Sequence, residues 1–256
     1  MTFLTSTDSA RFLALFALCG AGLPLAAGCT ATETGNPVAQ QSLALSARSS
    51  QPDVALLSET DAALRVTSAW LVLGGLEFVQ SADCDRGPSS RSDIDGPVAI
   101  ELTSQPQPFE LALDATRYCR VRVRLEKGKE LSGAPAELED HSIVLQGLRA
   151  DGVAFALRSR RNFDLDLRAR GAGFDLATVG DDLILAFDLA SWLDGIDLSS
   201  ALSVAGEVIA VDDDHGRDRL QLFEDNVERA LELFRDHNGD KQLDEDDLRE
   251  PLAGGP

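Results

Sequence analysis

The sequence is short of basic charge. Lys and Arg number 23 against 43 Asp and Glu, so the 256-residue chain carries a formal net charge of -20. A field of that sign repels phosphate backbones, which argues against nucleic acid as a partner and favours solubility and cation binding. Histidine is scarcer still: the three present, His141, His215 and His237, form no pair at metal-helix spacing. No Gly-x-Ser-x-Gly elbow occurs. Gly171-Ala172-Gly173 lacks the third glycine and the strand–helix setting of a dinucleotide loop. Asp164 and Asp166 fall on one strand face, a solvated arrangement. Nothing assembles an acid, a base and a nucleophile, so the chain does not read as an enzyme; a hydrolase with an unrecognised site in the loops is the catalytic alternative. Long alternating helices are also missing, which disfavours a parallel α/β sheet. What is present is 44% apolar residues, enough for a packed core in one domain plus extras.

One long apolar run exists, over residues 12–27, and Gly20, Gly22 and Pro24 interrupt it. It is short and broken for a membrane span. Arg11 precedes it, and the small residues Ala26, Ala27 and Gly28 follow before Cys29, the layout of a secretory signal. Leu25-Ala26-Ala27-Gly28-Cys29 resembles the lipobox of bacterial lipoproteins, with Ala26 where Leu is commonest. The resemblance implies cleavage before Cys29 and acylation of that residue, which would hold the protein on a membrane. Thr30 follows the cysteine, where the sorting of Gram-negative lipoproteins implies the outer membrane.

Cysteine is sparse, with four in all. Cys19 is lost with the signal and Cys29 goes to lipid. Cys84 and Cys119 remain, an even number in an oxidising compartment, and are expected to pair. That bond would stabilise the fold by roughly 3–4 kcal/mol in the chain-entropy view.

Four regions follow. Residues 1–28 read as the signal peptide. Residues 29–55, with Gly35-Asn36-Pro37 and a Ser-rich stretch, read as a flexible tether. Residues 56–211 read as the β domain, and from Leu64 to Val211 the pattern has a period of two. Cys119, Val121, Val123 and Leu125 interleave with Arg120, Arg122, Arg124 and Glu126, and Phe163, Leu165 and Leu167 with Asp164, Asp166 and Arg168. Such alternation marks half-buried antiparallel strands. Further strands are expected over residues 70–79, 98–102, 109–113, 183–187 and 202–211. Residues 143–148 and 153–157 flank Asp151-Gly152, which suits a tight hairpin. Residues 85–96 read as a loop and residues 190–193 as a short helical turn. Trp70 and Trp192 lie in apolar runs and read as core. The spacing of short strands predicts a mainly β fold, an antiparallel β-sandwich of Ig-like type.

Residues 212–256 change character, with 15 acidic and 6 basic residues. Leu220, Phe223, Val227, Leu231 and Phe234 recur at steps of three or four, which predicts an amphipathic helix. Asp212-Asp213-Asp214-His215 reads as a solvated junction. After the helix comes Asp236-His237-Asn238-Gly239-Asp240-Lys241-Gln242-Leu243-Asp244-Glu245-Asp246-Asp247. Calcium takes six to eight oxygens at about 2.3–2.6 Å, supplied from positions 1, 3, 5, 7, 9 and 12 of a twelve-residue loop. The segment resembles an EF-hand loop and is similar to dockerin-type repeats. The resemblance covers about 30 residues and implies that Asp236, Asn238, Asp240, the carbonyl of Gln242, Asp244 and Asp247 hold Ca²⁺, with Leu243 facing the core. The pattern departs at position 6, where Lys241 replaces the usual Gly, at position 12, where Asp247 replaces Glu, and at Pro251, which shortens the exiting helix. These changes predict a weak site, on the order of 10⁻⁴–10⁻³ M. The functional expectation is a calcium-binding, lipid-anchored cell-envelope protein with a structural or binding role. A further envelope protein or polysaccharide is a possible partner. The alternative is a structural envelope lipoprotein without specific calcium binding.

Overall fold

A computed structural model describes residues 38–47, 55–57, 63–80, 89–92, 97–114, 117–176, 182–199 and 208–255. The chain divides into residues 1–35 and 36–256, and every described residue belongs to the second unit. The signal peptide, Cys29 and Cys84 lie outside the described residues.

The strands are Val38–Ala47 (β1), Ala55–Leu57 (β2), Ala63–Gln80 (β3), Ser89–Ser92 (β4), Val98–Glu101 (β5), Gln107–Asp114 (β6), Arg117–Leu125 (β7) and Ile143–Arg149 (β8). They continue with Ala154–Ser159 (β9), Phe163–Ala169 (β10), Phe174–Asp175 (β11), Asp182–Phe187 (β12), Val208–Val211 (β13), Leu231–Asp236 (β14) and Ala253–Gly254 (β15). Two α-helices, Leu189–Trp192 (α1) and Arg217–Arg229 (α2), accompany them among the described residues. The strands join in one curled sheet in the order β13-β9-β8-β3-β7-β10-β15-β14-β12-β1-β6. Strand β11 pairs with β7, and β2, β4 and β5 pair with β3.

The mainly β class is as expected, but the sheet is mixed rather than antiparallel throughout. Strand β1 runs parallel to β12, with Leu43 opposite Leu183, and β13 runs parallel to β9. Both pairings join segments far apart in sequence, and local alternation carries no record of strand direction. The purely antiparallel Ig-like sandwich is therefore corrected to a mixed, curled sheet.

Alternation decides which side chains enter the main core. Val121, Val123 and Leu125 of β7, and Phe163, Leu165 and Leu167 of β10, are all buried there. Full burial of such a side chain contributes about 1.5–3 kcal/mol. Helix α2 adds Leu220, Phe223 and Val227, while Trp192 stands edge-on to Phe187 and Phe223 at 5.9 Å. Trp70 packs, partly buried, on a smaller cluster of Val72, Leu138 and Val144. The β8–β9 hairpin turns at Asp151-Gly152, where Gly152 has φ +83°. Arg149 N–H donates to the Val153 carbonyl at 2.9 Å across it.

Several local expectations change. Leu231 and Phe234 do not continue the helix: α2 stops at Arg229, and both residues belong to β14. Leu231 and Leu233 enter the main core, while Phe234 enters a second cluster with Ala44, Ile184 and Ala186. With both faces buried, β14 loses the plain alternation of a half-buried strand and imitates helical steps. The C-terminal segment adds β14 and β15 between β10 and β12 of the same sheet. Residues 38–47, read as tether, form β1 between β6 and β12. Residues 89–92, read as loop, form β4 on β3. Of the strand expected over 202–211, β13 covers Val208–Val211 and residues 201–207 lie outside the described residues.

Candidate functional site

Strand β14 delivers Asp236 as its last residue, opposite Asp182 of β12. The entering element is thus a strand, where the resemblance implied a helix. Asp236 is 5% exposed and accepts two backbone N–H groups, from Gly239 at 2.7 Å and Lys241 at 2.8 Å. Such Asx-type turns reverse the chain, and Gly239 and Lys241 both take positive φ, +74° and +64°. Asn238 Oδ1 accepts from Asp240 N–H at 2.9 Å, and Asp240 Oδ1 accepts from Gln242 N–H at 2.8 Å. The side chains at 236, 238 and 240 therefore brace the first half of the loop.

The second half closes on Asp247, which is 1% exposed. Its Oδ1 accepts His237 N–H at 3.0 Å and its Oδ2 accepts Asp244 N–H at 3.1 Å. Asp244 Oδ1 accepts the N–H groups of Asp246 at 2.8 Å and Asp247 at 3.1 Å. The Asp247 N–H is the leading cause that holds the Asp244 carboxyl below the usual carboxylate range. Asn238 Nδ2 donates to Asp240 Oδ2 at 3.2 Å and to Asp244 Oδ2 at 2.9 Å. Positions 238, 240 and 244 thus converge. Leu243 is buried against the cluster of Phe234, Ile184 and Ala44, with Leu248 beside it, and docks the loop on the sheet.

Five of the six residues named from the spacing take part in this closed network through their side chains. Gln242 takes part through its N–H. The donors are carboxylate, amide and carbonyl oxygens, the hard donor class that calcium takes. Among the described residues, no group of three or more His, Cys, Asp or Glu side chains is gathered so as to hold a metal ion.

Elsewhere, Asp212 accepts from Asp214 N–H at 3.1 Å and His215 N–H at 2.9 Å, and so caps a turn before α2. Cys119 is buried, with its sulfur 3.5 Å from the Gln80 carbonyl oxygen. Two features escaped the sequence reading. Ser159 donates to Glu224 at 2.6 Å, both buried, and ties α2 to β9. Arg120, Arg122, Arg124, Asp164 and Asp166 line one depression of about 670 Å³ with Gly75 and Glu77. Their alternation was legible, but their cross-strand neighbours lie far away in sequence. Among the described residues, no helix is long and apolar enough to cross a membrane.

No protein family and no curated protein matches the chain. Among solved structures it is similar to MbnP from Methylosinus trichosporium, with a TM-score of 0.42 and 11% sequence identity over 67% of this chain and 82% of that one.

Proposed function

We propose that the chain is an exported, lipid-anchored protein of the cell envelope with a structural or binding role, and that its loop over residues 236–247 takes a weakly held calcium ion. The observation that carries the calcium reading is the backbone of Lys241. A twelve-residue calcium loop needs a sharp turn at its sixth position, usually made by Gly. Here a lysine adopts φ +64° at that position, although left-handed geometry costs a non-glycine residue about 1–2 kcal/mol. The Asp236 carboxylate, which accepts the Lys241 N–H, holds the turn in that shape. A bound cation would replace the Asn238 amide as the link between Asp240 and Asp244, and would screen the crowded negative charge. Export and the lipid on Cys29 rest on the charge, apolar run and small residues up to position 29. We also propose that Cys119 forms a disulfide with Cys84.

A second reading is a structural lipoprotein whose loop binds nothing. The observation that favours it is the same Asn238 amide, which already bridges two carboxylates. A calcium-dependent thermal shift separates the two. Under the first reading, millimolar calcium raises the melting temperature and millimolar magnesium does so much less, since magnesium sheds water reluctantly. Identical melting in calcium, magnesium and chelator supports the second. For the anchor, Cys29→Ser is expected to move the protein from the membrane to the soluble fraction; continued membrane retention would contradict it.

A further inference from the structure

The outer face of β3, β7 and β10 carries a ladder of charges whose pairing is incomplete. Register places Gly75, Arg124 and Asp164 in one row across the three strands. The next row is Glu77, Arg122 and Asp166, and the third is Val79, Arg120 and Arg168. Opposite charges that face each other across antiparallel strands ordinarily pair. In the second row they do, where Arg122 meets Glu77 at 3.0 Å; the third row has no carboxylate, and its Arg120 reaches diagonally to Asp166 of the second at 3.2 Å.

The first row behaves differently. Arg124 turns along its own strand to Glu126 at 2.8 Å, with its Nη2 3.5 Å from the Gly74 carbonyl. Asp164, directly opposite Arg124, makes no ion pair among the described residues. On the other side, Gly75 contributes no side chain, and a Cβ there would meet nothing within 4 Å but Arg124 Nη2 at 3.8 Å. A bulge between Leu73 and Gly75 marks the same point of β3. The result is a depression of about 670 Å³. Arg122 commits one Nη to Glu77, and its other N–H groups have no partner among the described residues.

Small-ligand sites span about 300–1,000 Å³, so the depression has room for a small polar molecule. Its charge restricts which kind. Three arginines and three carboxylates line it, so the lining is neutral in a chain of net charge -20. A simple anion meets the carboxylates and a simple cation meets the arginines. A molecule with both charges can place each against its opposite. We propose that this face binds a small zwitterion with one ammonium and one carboxylate group. The ammonium sits on Asp164 and the carboxylate on the free edge of Arg122. The site is independent of the calcium loop.

The test is an NMR titration of the full chain with glycine, γ-aminobutyrate and ε-aminocaproate, which carry the same two charges at increasing span. At least one is expected to give saturable shifts centred on β7 and β10. Butylamine and butyrate, each carrying half of the charge pattern, are expected to bind at least roughly tenfold more weakly. Asp164→Asn and Arg122→Gln alter exposed side chains and are expected to weaken binding by a similar factor. Gly75→Leu, which keeps every charge and fills the depression, is expected to abolish it. The proposal is overturned if none of the three zwitterions gives saturable shifts, or if all three variants bind as tightly as the wild type.

Discussion

The Asp236 carboxylate accepts the backbone N–H of Lys241 at 2.8 Å, and Lys241 stands at φ +64°. A buried acid at the end of a strand thus holds a lysine in a backbone region suited to glycine. The strand and the loop are coupled through that bond. Asp236 also faces Asp182 across β12 and β14, so the loop begins inside the sheet.

Lys241→Gly should relieve the left-handed geometry and remove a cation from the loop. Part of the gain is offset by the greater freedom of glycine in the unfolded chain. The expected net is a stabilisation of up to about 1 kcal/mol, together with tighter calcium binding. Urea denaturation without calcium and calcium titration measure the two effects separately. A destabilised variant would mean that the lysine side chain supports the loop.

Asp247→Ala leaves the N–H groups of His237 and Asp244 without their acceptor in a partly buried setting. A loss of roughly 2 kcal/mol is expected in calcium-free buffer. Asp247→Asn retains one acceptor oxygen and should lose less. Equal losses would show that the charge, and not the hydrogen bonding, closes the loop.

Ser159→Ala removes the donor to buried Glu224 and the acceptor of the Arg161 N–H. About 1–3 kcal/mol should be lost, seen as a lower urea midpoint with an unchanged slope. A changed slope would instead report a loosened native state in which α2 has left β9.

Asp151 gives an acid-side signature. Its hydrogen bond with Arg149, and then the Val153 N–H, lower its pKa from 3.8 to about 2. A depressed folded-state pKa adds stability above the unfolded value, which is lost as pH falls through the folded value. Asp151→Asn should therefore flatten the stability profile between about pH 4 and pH 2. The group is exposed, so added salt should shrink the difference. A profile unchanged by the substitution would show that the pair contributes nothing.

Much of the sheet could be read from period-two residues. The alternation at Cys119–Leu125 and at Phe163–Leu167, and the Asp151-Gly152 turn, rest on local chemistry that tertiary contacts reinforce. That positions 236, 238, 240, 244 and 247 would lie in one turn was legible from their close spacing, while the hydrogen bonds that link them were not. Strand β14 was not, because Leu231 and Leu233 face one core and Phe234 the other. Strand β1 was hidden in Ser-rich sequence, where local preference is weak and pairing with β6 and β12 decides the outcome. The parallel pairs were hidden as well, because direction depends on the path between strands. The zwitterion site needed the register of three strands, which no single segment carries.

The measurement that tests the calcium reading most directly is calorimetric titration of the full chain beside a double variant, Asp240→Asn with Asp244→Asn. Both asparagines keep an acceptor for the loop N–H groups and lose the charge a cation needs. The wild type is expected to show saturable heat with a Kd on the order of 10⁻⁴–10⁻³ M, and the variant none in that range. Absent heat in the wild type, or the same isotherm in both, would contradict calcium binding at residues 236–247.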